Sequence, residues 1–100
     1  MSNDSPYDVV IVGGGPSAAE VSGNVWQLAA DTGGQPPRIT VCAGSAFMGR
    51  FPVSVRTRIV NVLSNRGIVI RENVYVQSVA GDSVTLDSGE TLPADFIFLA

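Results

Sequence analysis

The sequence has no histidine, no lysine and a single cysteine. Without histidine, neither a Ser-His-Asp nor a Cys-His nucleophile can be assembled within the chain. Zinc and transition-metal clusters lose their usual ligands, and one thiol cannot close an internal disulfide. No catalytic side chain and no metal ligand is expected here, so any chemistry has to be carried by a bound cofactor. Lone Cys42 reads as a small buried hydrophobe and fits a reducing, cytoplasmic setting. All six positive charges are arginines, scattered against nine acids for a net charge of −3. That leaves no basic stripe to track a phosphate backbone, and nucleic acid is excluded as the expected partner. No apolar run is long enough for a membrane span. Residues 1–6 are polar and acidic, unlike a secretory signal, and read as a disordered leader.

What is present suffices for one small folded domain over residues 7–100, with 45% hydrophobic and 15% charged residues. Val9-Val10-Ile11-Val12 is β-branched without alternation, the pattern of a strand buried on both faces in a parallel sheet. From Pro16 to Ala30 the small or apolar residues Ala18, Val21, Ser22, Val25, Leu28 and Ala29 recur at helical spacing, with Pro16 suited to the first turn. Asp31 to Pro37 reads as a long exposed loop, and Ile39 to Cys42 as a second strand. Val53 to Arg66 reads as a second helix with Val55, Ile59, Val62 and Leu63 inward, ended by Gly67. Ile68-Val69-Ile70 is a third buried strand. Beyond it the period shortens to small strands around Val74–Val79, Ser83–Leu86 and Glu90–Leu92, and Phe96 to Leu99 closes as another buried strand. The expected fold is α/β: a Rossmann-like βαβαβ parallel sheet with a β-meander in place of a crossover helix.

Gly13-x-Gly15-x-x-Ala18 then falls between a strand and a helix, which is the setting that gives a glycine loop meaning. The first glycine allows a tight turn, the second leaves no side chain between backbone and a pyrophosphate, and the third position must be small for helix and strand to pack. Free N–H groups around Gly15, Ser17 and Ala18 and the helix dipole would meet the anion. Gly13, Gly14, Gly15, Pro16, Ser17 and Ala18 are therefore the candidate cofactor-binding loop. A dinucleotide domain commonly ends its second strand in an acid for the ribose hydroxyls, or has Arg nearby for a 2′-phosphate. Ala43 and Gly44 stand there instead, and Arg50 reads as a solvated surface residue. The lack of an Arg cluster favours NAD, with NADP left open. Three readings remain at this level: a nicotinamide-nucleotide site, an FAD site, and a scaffold that binds neither. The Gly-Gly-Gly-Pro spacing does not match the GxGxG loop typical of methyltransferases.

The segments VVIVGGGPSAAEVSGNV, RITVCAGSAFMGRFP, VLSNRGIVIRENVYVQSV and VTLDSGETLPADFIFLA resemble, in order, blocks of the NAD(P)H-binding domain of pyridine nucleotide-disulfide oxidoreductases. The flavour is that of type II NADH dehydrogenases and ferroptosis-suppressor-like flavoproteins, and the resemblance covers residues 7–100. It implies a piece of a larger flavoprotein that holds NAD(P)H beside an FAD-binding domain, so that hydride passes to FAD in the full enzyme. The isolated domain is expected to be inactive. The resemblance also implies that Glu20 lies near the nicotinamide and the flavin edge, and that Val76 contacts adenine. The expected partners are NAD(P)H and the flavin domain of the parent enzyme, and a homo-oligomer is left open. The sequence departs from the family pattern at Ala18, where glycine is usual, and at Ala43, which stands for the usual glutamate.

Overall fold

The computed structural model describes residues 6–100, so the leader expected at residues 1–6 lies, apart from Pro6, outside them. In chain order the elements are β1 (Asp8–Val12), α1 (Pro16–Thr32), β2 (Arg38–Cys42), α2 (Val53–Asn65), β3 (Val69–Arg71), β4 (Val76–Val79), β5 (Ser83–Leu86), β6 (Thr91–Pro93) and β7 (Phe96–Leu99). Four strands form a parallel sheet in the order β3-β2-β1-β7, and β4-β5-β6 form a separate antiparallel meander. β1 lies between β2 and β7, in register from Asp8↔Arg38 to Val12↔Cys42 on one side and from Val9↔Phe96 to Val12↔Leu99 on the other.

The unbroken apolar run of β1 has a direct cause. Val9 and Ile11 point to one face, where they pack with Ile39, Val41, Ala18, Phe47 and Leu63 beneath the two helices. Val10 points to the other face and packs with Cys42, Val84, Leu86 and Ala94 of the meander side. Each face of the strand is therefore closed by a different layer, and the buried positions Val9, Val10 and Ile11 are all apolar. The meander does for one face what a helix does for the other.

Several details depart from the sequence reading. α1 runs on through Asp31 and Thr32. Gln27 Nε2 donates to the Asp31 carboxylate at 2.9 Å and the Thr32 hydroxyl donates to the Ala29 carbonyl at 2.9 Å, so both residues are satisfied within the helix. The helix ends only at Gly33, in the left-handed region, whose N–H donates to the Ala30 carbonyl. On α2 the residues packed against the core are Ile59, Val60 and Leu63, while Val55 and Val62 (47% exposed) are turned to solvent. β3 begins one residue later than expected, with Ile68 buried ahead of it and Val69 exposed. β7 is a strand but not a buried one: Phe96 is 53% and Leu99 77% exposed, because β1 is its sole partner among the described strands.

Polar ties hold the layers in place. The Arg38 guanidinium grips Asp8 through two bonds of 2.7 and 3.1 Å, and the Asp95 carboxylate accepts from the Asp8 N–H at 2.7 Å, joining the starts of β1, β2 and β7. The Arg71 guanidinium reaches Glu90 through bonds of 3.0 and 2.8 Å, linking β3 to the meander.

The hydrogen bonds from Arg71 hold the Glu90 carboxyl below its ordinary range. A carboxylate depressed in the folded state adds stability that is present above its unfolded pKa and is lost as pH falls through the folded one. Replacing Glu90 with Gln should therefore lower the melting temperature slightly at neutral pH. The gap from the unmodified chain should close as the pH is taken down through the carboxylate range. A second test compares a buried side chain ahead of α2 with an exposed one on it. Phe47→Ala, at a site with no exposure, should cost about 3–5 kcal/mol in urea unfolding. Val62→Ala should stay within about 0.5 kcal/mol of the unmodified chain, as expected of an exposed position.

Candidate functional site

The glycine loop leaves the C-terminal end of β1, beside the end of β2, where ligands sit in open parallel sheets. Its backbone is tied on three sides. The Gly13 N–H donates to the Cys42 carbonyl at 3.0 Å, the Met48 N–H donates to the Gly14 carbonyl at 2.6 Å, and the Ala100 N–H donates to the Val12 carbonyl at 2.9 Å. The three glycines are not equivalent. A Cβ on Gly13, whose φ is +149°, would lie 2.7 Å from the Ala100 carbonyl oxygen, and one on Gly14 would run into the Ala43 carbonyl oxygen. Both are glycine because backbone passes backbone there. A Cβ on Gly15 would meet nothing within 4 Å. Gly15 has an ordinary extended backbone, with φ of −103° and ψ of −165°. Its lack of a side chain therefore serves neither the turn nor the packing.

The open space in front of Gly15 is a cleft of about 500 Å³. Gly14, Gly15 and Pro16 form one wall, and Ala43, Ser45, Met48, Arg50 and Phe51 contribute to the other. Among the described residues, none accepts a hydrogen bond from the N–H groups of Gly14, Gly15 or Ser17. The Ala18 N–H is already used, donating to the Gly15 carbonyl at 3.1 Å, so Gly14 joins the expected donors and Ala18 leaves them. Ala18 itself is fully buried against the sheet, the role its small size suits. The first turn of α1 has no acidic residue and no side-chain cap. A helix N-terminus left bare in this way presents donors and the positive end of a dipole to the cleft. A phosphate-bearing cofactor fits that donor set and the room before Gly15.

A second cavity of about 260 Å³ adjoins the first, with Ala43 lining both. Gly13, Cys42, Gly44, Tyr75 and Val76 complete most of it. Gly44 has φ of +80° and donates its N–H to the Val74 carbonyl at 3.0 Å, which brings the Tyr75 ring over the end of β2. Cys42 is 1% exposed; burial pushes its thiol pKa up, with Arg71 opposing and Glu90 reinforcing the rise. It stays a neutral thiol.

Of the residues selected from the sequence, Gly13, Gly14, Gly15, Pro16, Ala43, Gly44 and Val76 line one or both cavities. Ser17 and Glu20 are exposed on α1 and line neither. Sequence reasoning passed over Ser45, Met48, Phe51 and Tyr75, and treated Arg50 as a surface residue, although it also lines the cleft. A signal existed: Ala46-Phe47-Met48 and Phe51 are too apolar for a free loop. Phe47 anchors this loop. Its N–H donates to Glu72 Oε2 at 2.7 Å and its carbonyl accepts from Arg56 Nε at 2.9 Å, while Arg56 and Glu72 pair at 3.2 Å.

The sequence model of the family described as pyridine nucleotide-disulphide oxidoreductase matches residues 2–100. Two NADH dehydrogenase-like proteins from strains of Mycobacterium tuberculosis are each 35% identical over 91 residues, an overlap covering 86% of this chain and 23% of theirs. The chain thus spans about a quarter of the length of these curated relatives. Among solved structures, a ferredoxin reductase from Rhodopseudomonas palustris superposes with a TM-score of 0.77 at 21% identity, covering 94% of this chain and 23% of that one. The HOCl-induced flavoprotein disulfide reductase of Escherichia coli gives 0.73 at 20% identity, covering 95% and 21%. These two likenesses establish the Rossmann-like fold. With nearly every residue matched by the family's own pattern, the chain belongs to the pyridine nucleotide-disulfide oxidoreductases, a family of flavoprotein reductases.

Proposed function

We propose that residues 7–100 form the nicotinamide dinucleotide-binding domain of an FAD-dependent NAD(P)H oxidoreductase. The carrying observation is Gly15: a glycine required by neither turn nor packing, facing a cleft at a bare helix N-terminus. A pyrophosphate there accepts from the N–H groups of Gly14, Gly15 and Ser17, and the α1 dipole adds to the attraction. Pro16 lacks an N–H but starts the helix at the required angle. Ala18 lets α1 close on the sheet, so those N–H groups stand near the strand ends. Ala43, Gly44 and Val76 line the smaller cavity, which suits the adenosine half. Glu20, one turn into α1 and exposed, is left for the nicotinamide end and the face of the flavin domain.

The bound dinucleotide supplies the hydride chemistry, passed to FAD in the whole enzyme. This domain's own work is binding and orientation, so the chain alone should show no turnover. Calorimetric titration with NADH, NADPH and FAD tests the assignment. A pyridine nucleotide should bind and FAD should not; a preference for FAD makes this a flavin domain instead. Gly15→Leu should abolish that binding with the melting temperature nearly unchanged, because the new side chain enters open space at an ordinary φ. Retained affinity in Gly15→Leu sinks the site.

A further inference from the structure

We infer that Met48, with the Arg56–Glu72 pair behind it, is a positioning device that fixes the peptide unit between Gly14 and Gly15 in the orientation a phosphate needs. The inference rests on the nucleotide-binding reading above and adds what holds that site in shape before a ligand arrives.

The peptide unit between Gly14 and Gly15 is the weak point of the loop. Neither residue has a Cβ, so rotation about the Gly14 ψ and the Gly15 φ can turn the unit over with no side chain in the way. In a trans unit the C=O and N–H point opposite ways. One orientation gives a phosphate the Gly15 N–H, and the other gives it the Gly14 carbonyl oxygen, which repels it. Sequence alone leaves both orientations open.

In the structure the Gly14 carbonyl is already taken. It accepts from the Met48 N–H at 2.6 Å, and the Gly15 N–H is left with no acceptor among the described residues. Met48 makes this bond in an unfavourable conformation, with φ of +56° in the left-handed region. A non-glycine residue stays there only where its surroundings over-determine it.

Those surroundings are on the page. The Met48 side chain is 3% exposed within the core, and its carbonyl accepts from the Phe51 N–H at 3.0 Å. Phe47, the residue before it, is gripped at both backbone groups, by Glu72 Oε2 at 2.7 Å and by Arg56 Nε at 2.9 Å. Asn73, next to Glu72, donates its N–H to the Ser45 carbonyl at 3.1 Å, so the exit of β3 holds the loop at two points. Neither Arg56 nor Glu72 lines either cavity, so their influence on a ligand passes through Phe47 and Met48.

NMR spectroscopy and calorimetry of the whole chain, titrated with NADH and NADPH, test this. The scalar coupling across the bond from the Met48 N–H to the Gly14 carbonyl should be present in the free protein. The Gly15 and Ser17 amide resonances should both shift when nucleotide binds. Glu72→Ala should weaken binding about tenfold, the order of one lost charge-assisted bond. In that variant the coupling and the Gly15 shift should disappear, while the Ser17 amide, fixed by α1, still responds. Glu72→Gln keeps an oxygen for the Phe47 N–H and should restore most of the affinity. Arg56→Met should lose part of it, and serves as the comparison if Glu72→Ala does not fold. Glu90→Gln, which breaks the Arg71 ion pair outside both cavities, should leave the affinity unchanged, with thermal melts reporting the folding of each variant. A folded Glu72→Ala variant with full affinity overturns the inference and leaves the Gly15 reading standing. So does loss of the Gly15 and Ser17 shifts together, which marks general loosening, or absence of the coupling from an unmodified chain that binds nucleotide. Failure of both nucleotides to bind the unmodified chain overturns both.

Discussion

The closeness with which the chain leaving β1 passes its neighbours constrains everything around the cleft. Gly13 lies against the Ala100 carbonyl and Gly14 against the Ala43 carbonyl, at separations that no side chain permits. That close approach lets one short loop bond to the ends of β2 and β7 at once. It also aims the start of α1 across the strand ends rather than away from them. The bare N–H groups face the cleft as a result of this backbone packing, before any ligand is considered.

The layering follows from the same strand. β1 is closed by helices on one face and by the meander on the other, so the C-terminal ends of β1 and β2 open towards both layers. The larger cavity lies between the glycine loop and the loop leading to α2, and the smaller one reaches the start of the meander at Tyr75 and Val76. Ala43 belongs to both, so one small side chain stands where the two cavities adjoin. The edges of the sheet are treated differently. Short β3 is tied to the meander by Arg71 and Glu90, whereas β7 leaves Phe96, Phe98 and Leu99 largely exposed.

The strand-loop-helix order and the glycine loop were legible in the sequence because their signals are local: β-branched runs, helical periodicity and a glycine motif between them. Which side of a helix or strand meets another layer was less legible. Val62 and Val60 have the same chemistry, and the placement of α2 against α1 and the sheet decides which of them is covered. Phe96 to Leu99 has the composition of a core strand, yet it lies at an edge, and composition does not record how many neighbours a strand has. At the site, the glycines were readable as a group but not individually. Their separation into two that pack and one that is open depends on carbonyls from residues 43 and 100, far apart in the chain.

The same distance effect explains why the far wall of the cleft went unread. Ser45, Met48, Arg50 and Phe51 carry no motif; they reach the site because Phe47 is driven into the core and its backbone is gripped by Arg56 and Glu72. Burial of one aromatic ring thus determines where the neighbouring side chains stand. This also shows how a chain of net charge −3 can present an anion site. Net charge sets the weak, screened background, whereas a bare helix terminus and the guanidinium of Arg50 stand at the cleft itself. Three of the acids that could oppose them, Asp8, Glu72 and Glu90, are held in ion pairs with other arginines, outside both cavities. The pairing of those charges elsewhere is what leaves the cleft locally positive.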